Sequence, residues 1–532
     1  MRRLRSCLIL LFSIIWLLIV VSYFALQTNY GAKVLSQQLS KLGPYTISIG
    51  KINHSLANFY ELSIDNLLVI SDKQEVTKIG KLTIGFDKKN LWQLHHFNYI
   101  NVIDGEFNGV DINNFSANVL KFYNSTINFS FNDEQDSLSL KGVDGRIKPF
   151  DLSSKEPYQF DFTSQKASFN QIPINKILLQ GYYRDGVTAI TNLGGNMDNG
   201  FFVSKLKVLA DGSLDIAQLK LNNIRFQPDD YTELNKYLPK FPKFRLEELL
   251  ILDSNIQLPN LIIAKGNFEI TNISYDNQWN LNETSFIFNA DNVVWFDQIY
   301  SSLLLQLSFK DNEIDIKKAV ARWHNGDVHL DGSWKNNSLH LNKLLLTGIS
   351  YELSDEAKQP LLPDIFNRVD VDQLIILQSM LTSIKSDYPF NIANFDVSGK
   401  NVSLVEDNKF GLYSGSLFLK ANNASVNKVS IEYPSVSVDI DPQHRTLLSF
   451  NALVNGGIID STAIINPLHS EFESFHLISK GTTSELLNRW KLVQNPPESL
   501  NYRADLRGKI APFSLSGIFS TGGNDYSIHS QH

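Results

Sequence analysis

Residues 301–317 read SSLLLQLSFKDNEIDIK. Leu303, Leu305, Leu307 and Phe309 occupy every second position, and Ile314 and Ile316 resume the alternation after Asp311 and Asn312. A period of two puts the apolar side chains on one face of an extended chain, and two adjacent residues that tolerate positive φ between such runs favour a tight antiparallel turn. The stretch therefore predicts a β-hairpin with one apolar face.

Working outward, the same pattern recurs. Leu82, Ile84 and Phe86 alternate with polar or small neighbours. Asp211-Gly212-Ser213-Leu214 leads into LDIAQLKLNNI, Asp331-Gly332-Ser333-Trp334 leads through Asn336 and Asn337 into SLHLNKLLL, and Leu417 and Leu419 precede a turn expected at Asn422 and Asn423. Helical interruptions are expected at residues 231–237, 361–366 and 484–492 only. The fold class is mainly β: an elongated antiparallel meander after an N-terminal helix, with a few short helices. No Pro/Gly/Ser-rich linker or charge block divides residues 45–532, which are taken as one region. A meander of this length must hide one face. It can do so in a closed sandwich or barrel, or as a curved sheet whose apolar face lines a groove, in which roughly 25 strands at about 4.8 Å spacing would extend on the order of 100 Å.

Composition narrows the function. The 532 residues are 43% apolar and 11% aromatic with only 19% charged, which excludes a disordered chain. Against 55 acidic groups stand 48 basic ones, so the backbone-neutralising excess of a nucleic-acid binder is missing and no nucleic acid is expected as partner. Cys7 is the one cysteine, which leaves no disulfide framework, thiolate metal site or cysteine nucleophile in the body of the chain.

From Cys7 to Leu26 the sequence is CLILLFSIIWLLIVVSYFAL, twenty residues without a charge. As a helix this is about 30 Å long, the thickness of a bilayer core, with an insertion free energy of roughly -5 kcal/mol. Arg2, Arg3 and Arg5 precede it and the next basic residue is Lys33, so residues 1–6 are expected in the cytoplasm and everything after the span outside the inner membrane. A cleaved signal peptide shares the basic start, but the apolar run is longer than its usual core and no A-x-A-like cleavage site follows. Residues 27–44, with Tyr30, Val34, Leu35, Leu39 and Leu42 at helical spacing before Gly43 and Pro44, predict an amphipathic helix beside the membrane.

Catalytic signatures are missing. Gly411-Leu412-Tyr413-Ser414-Gly415 places its serine one residue late for a hydrolase elbow, and there is no phosphate-binding glycine pattern. His95 and His96 point to opposite faces of a strand, as do His324 and His329, so neither pair would chelate one ion, and His340 has no fixed place beside them. Asp229 with Asp230 and Glu247 with Glu248 read as solvated edges, and Asn124, Asn282 and Asn423, each in an Asn-x-Ser/Thr triplet, as turn residues. No enzyme activity, cofactor or metal is expected.

The anchor followed by LQTNYGAKVLSQQLSKLGPYTISIGKI, LSIDNLLVI, IGKLTIGFDKKNLWQL and INVIDGEFNG resembles the start of AsmA-like proteins of Gram-negative bacteria, and VHLDGSWKNNSLHLNKLLLTGISYEL, GLYSGSLFLKANNASVNKVSIEYPSVSVDI and HLISKGTTSELLNRWKLV resemble the body of the family's shorter members. The resemblance implies an inner-membrane protein with a periplasmic hydrophobic β-groove that assists phospholipid transport toward the outer membrane and outer-membrane biogenesis. Phospholipid or another lipid is then the partner, besides the membrane and a receiving outer-membrane or periplasmic protein. The groove would be lined by Leu82, Ile84, Phe86, Leu303, Leu305, Leu307, Phe309, Ile314 and Ile316. The competing expectation is a scaffold that assists outer-membrane protein assembly by strand addition at its open edges.

Overall fold

The computed structural model describes residues 2–41, 45–71, 76–87, 96–108, 116–131, 136–151, 156–169, 172–197, 199–227, 242–353, 366–384 and 388–531. The helices expected at residues 231–237 and 361–366 fall outside these but for Phe366, as do His95, Asp229 and Asp230. The described chain is strand almost throughout, as the period of two predicts.

Two helices come first. Helix α1 is Arg2–Leu26 and ends at the residue where the apolar run ends. The side chains of Arg2, Arg3, Arg5 and Cys7 lie outside the described residues. Helix α2, Asn29–Ser40, follows with Thr28 as its cap, whose hydroxyl accepts from the Gly31 amide at 3.2 Å. The turn between them is tight enough to need Gly31, because a Cβ there would stand 2.2 Å from the Ala25 carbonyl oxygen. Among the described residues no single helix is long and apolar enough to cross a membrane. Leu11–Leu26 and α2 pass together by length and composition, with a bend of 89° at the break.

The chain forms two compact units. The first comprises Met1–Arg225, Leu238–Asp253 and Ile273–Asn280. In it Ser36 and Ser40 of α2 accept from the amides of Ile49 and Ile47 at 2.9 and 2.8 Å, fastening the helix to strand Thr46–Ser55. Strands Thr46–Ser55, Asn58–Ile70, Val76–Gly85 and Tyr99–Asn108 pair antiparallel in succession. Tyr99–Asn108 then runs parallel to Leu120–Phe131, and the antiparallel order resumes through Asp136–Lys148, Tyr158–Phe169, Ile172–Arg184, Val187–Met197, Gly200–Val208 and Leu214–Asn222. Leu214–Asn222 is parallel to the first part of Phe244–Leu258.

The second unit comprises Phe226–Tyr237, Ser254–Asn272 and Leu281–His532. Leu261–Tyr275 pairs antiparallel with Ser285–Trp295, and the order runs on through Gln298–Lys310, Glu313–Trp323, Gly326–Lys335 and Ser338–Thr347. A parallel join to Arg368–Ser383 follows, and from there each strand is antiparallel to the next as far as Asn524–Gln531. Between Glu471–Lys480 and Asn501–Lys509, which pair directly, residues 481–500 leave the sheet and form helix α3, Glu485–Arg489.

Hairpin turns carry the topology. Asp311 and Asn312 have φ of 51° and 60°, Asn336 and Asn337 49° and 62°, and Asp407 and Asn408 51° and 59°. Positive φ at both central residues is the type I′ geometry whose twist matches that of the strands. Two expectations are corrected. The meander is not antiparallel throughout, since among the described residues parallel joins interrupt it at Leu120–Phe131, Phe244–Leu258 and Arg368–Ser383. Asn422 and Asn423 are no turn: strand Lys409–Val426 runs through them and the chain reverses at Asn427 and Lys428. Asn124 likewise stands within a strand, at φ 49°.

The parallel joins share a device. The strands entered after them contain LKFYNSTINF, LLILDSNIQL and LIILQSMLTS, and Asn124, Asp253 and Gln378 all have φ of 48–49°, each followed by a serine exposed by 1% or less. Ser125 accepts from the Gly105 amide at 3.3 Å and donates to the Tyr123 carbonyl, while Ser379 accepts from the Ile349 amide at 3.2 Å and donates to the Leu377 carbonyl. The Ser125 and Ser379 hydroxyls thus satisfy an amide of the parallel neighbour beside the bulge.

Candidate functional site

The apolar positions meet across the strands. In the second unit Leu305 faces Phe288 on one side and Ala319 on the other, and Phe288 faces Phe268. Onward the register partners are Leu330, Leu344, Leu374, Gly399, Leu417 and Val438. Leu448, Ala463, Phe475, Leu506, Gly517 and Ile528 continue the row to the last strand. Not one polar side chain interrupts it. One position along, on the opposite face, Asp331, Lys343, Gln373, Lys400, Ser416 and Asp439 form a polar row across six strands. Register errors of one residue would interchange the two, so bulges at every few strands keep the alternation in phase.

The first unit has its own row: Ile52, Ile64, Leu82, Val102, Phe122, Gly145, Phe162, Leu179 and Leu193. Ser204 follows before the row returns to Leu219 and Leu249, and its buried hydroxyl donates to the Gln218 carbonyl at 3.0 Å. Tyr158 and Tyr183 stack at 5.0 Å at the margin, and burial, then the neighbouring phenol, pushes the Tyr158 hydroxyl above its ordinary pKa.

The expected lining residues divide between two settings. Leu82, Ile84 and Phe86 are half-buried against a closed cluster in which Phe97, Ala117 and Phe150, from three two-residue strands, cover the sheet. Leu303 and Leu305 are half-buried against Ile263, Phe288, Ala290 and Val293. Leu307 and Phe309 are half-buried too and stand opposite Ile316 and Ile314 on the next strand. The sequence reading missed what covers the far end of the row. Residues 481–500 fold over it and bury Leu486, Leu487 and Val493 against Ile431, Val454, Ile459 and Leu477. The Trp490 indole donates to the Val426 carbonyl at 3.3 Å and the Thr482 hydroxyl to the Val454 carbonyl at 2.8 Å.

Polar groups are spread over the surface. Among the described residues no three His, Cys, Asp or Glu side chains converge as a metal site would require. His96 bonds Ser116 and Asn118, His324 bonds Gln298, and His340 lies 3.3 Å from Asp372. Desolvation holds His324 below the usual imidazole range. Glu248 accepts from Gln218, Glu247 lies beside Arg245, and Ser414 donates to the Asn401 carbonyl.

No family model matches the chain. It is 24% identical over 507 residues to the AsmA family protein YicH of Escherichia coli, an alignment that covers 92% of this chain and 88% of that protein. A likeness that runs nearly the length of both bears out the resemblance to AsmA-like proteins read from the sequence.

Proposed function

We propose that the protein is an envelope lipid carrier. Helix α1 holds it in the inner membrane with the N-terminus in the cytoplasm, the strands stand in the periplasm, and acyl chains travel along the apolar face as a groove toward the outer membrane. The observation that carries this reading is the row from Phe268 to Ile528, in which every register partner is apolar or glycine. A methylene moved from bilayer to water costs about 0.8 kcal/mol, so a continuous apolar track lowers the barrier to transfer in proportion to chain length. The AsmA likeness supports the same role. No bond is made or broken in this mechanism, and the face needs no cofactor.

The test uses the full chain in living cells. A photo-crosslinking amino acid at position 305 or 344 is expected to capture phospholipid, detected by mass spectrometry of the purified protein, whereas the same group at Lys318, exposed on the opposite face, captures none. Equal labelling at all three positions, or none at 305 and 344, would remove the face from the path. A second reading, assistance to outer-membrane protein assembly by strand addition, draws on Asn524–Gln531, which among the described residues pairs only with Ser514–Thr521. It expects crosslinks to protein at position 527 instead.

A further inference from the structure

The first hairpin turn is apolar, exposed and tied to α1. Leu56 and Phe59 are 67% and 60% exposed, and no charged residue occurs from Ile52 to Tyr60. A soluble hairpin tip usually carries polar turn residues, and two large apolar side chains left in water at one tip are unusual. The tie is specific. The Tyr23 hydroxyl lies 2.6 Å from His54 Nδ1 and also donates to the His54 carbonyl at 3.2 Å. The rings of Tyr23, His54 and Phe59 follow edge to face, with both centroid distances 5.5 Å.

Depth follows from helix geometry. Tyr23 stands three residues before the end of α1, about 4.5 Å along the axis, and helical side chains lean toward the N-terminus. The phenol, and the hairpin bonded to it, are therefore level with the last turn of the apolar helix and not beyond it. Helix α2 turns away at 89° just past this point.

We propose that residues 55–59 sit in the interfacial layer of the bilayer, with Leu56 and Phe59 against acyl chains and Asn53, His54 and Asn58 among headgroups. The inference rests on α1 being a membrane span. The occupant is lipid and not a partner protein, because a surface at the depth of Tyr23 beside a spanning helix meets lipid first. The tip carries no basic residue, and its Asn58 donates to the Glu61 carboxylate at 3.1 Å, so nothing in it selects anionic headgroups, and it brings the first strands of the sheet onto the membrane instead of leaving them on a tether. Aromatic and aliphatic side chains flanked by uncharged polar ones are what this layer favours.

Site-directed nitroxides on the full chain, with Cys7→Ser to remove the native thiol, would measure the depth in vesicles of phosphatidylethanolamine and phosphatidylglycerol. Labels at Leu56→Cys and, independently, Phe59→Cys are expected to relax with oxygen and to lose relaxation by a water-soluble nickel chelate. Leu17→Cys serves as the lipid reference and Lys318→Cys as the aqueous one. If Leu17 is shielded from nickel while both hairpin labels match Lys318, the inference fails and the span stands. If Leu17 also matches Lys318, the span itself fails and the inference with it.

Discussion

Gly399 shows what a row of large side chains demands of the backbone beneath it. A Cβ at that position would lie 2.7 Å from Leu417 Cδ2 and 3.0 Å from Leu374 Cβ, because both leucines lean over the glycine and cover its backbone. At Gly145, which stands between Phe122 and Phe162 in the register, a Cβ would meet the Phe162 ring and the Asp161 carbonyl oxygen. The apolar row thus stays closed to water at Gly399, which is buried though it has no side chain. Gly399→Val forces both leucines out of their rotamers, and overpacking of this kind costs about 1–3 kcal/mol. The urea midpoint of the full chain is expected to fall, while Lys400→Val on the polar face leaves it within error.

At the scale of elements, α3 is too short to persist alone, since isolated helices below about a dozen residues are marginal. Its stability is that of the contacts beneath it, where Leu486, Leu487 and Val493 are exposed by no more than 2%. Leu487→Ala is expected to cost about 2–5 kcal/mol of local stability. Trypsin cleavage at Arg489 and Lys491 would speed up accordingly, with cutting elsewhere unchanged. Much at this scale is legible in the sequence. Asp311 with Asn312 and Asn336 with Asn337 announce their turns because type I′ geometry admits few residue types, and α2 and α3 fall where the helical period places them. The failures share a cause. Asn422 and Asn423 mislead because asparagine also serves in strands, and the parallel joins are invisible because a strand's own pattern does not say which neighbour it takes. The cover over Leu82, Ile84 and Phe86 comes from nearby Phe97 together with Ala117 and Phe150, which join it from farther along the chain.

For the whole molecule, the property that matters is continuity, and one charge is enough to break it. Leu305→Glu puts a carboxylate between Phe288 and Ala319, where it has no basic partner in the row, and an unpaired carboxylate in an apolar setting costs several kcal/mol and draws in water. Phospholipid captured at position 344 is expected to drop sharply in this variant and to be unchanged in Gln306→Glu on the other face. The row itself could be assembled from the sequence only within single hairpins, because the bulges that keep it in phase leave no fixed spacing between strands. The two-residue turns also set how the molecule is made. A strand of about a dozen residues takes on the order of a second to synthesise, whereas a hairpin closes in roughly 1–10 μs. Each strand therefore docks on its predecessor long before its successor exists, save at the parallel joins, where the newcomer must first cross back over a finished strand. Beyond the first strand, whose Ile47 and Ile49 amides bond to α2, the growing sheet offers one unsatisfied edge, always the newest, and that limits the surface through which nascent copies could stick to one another.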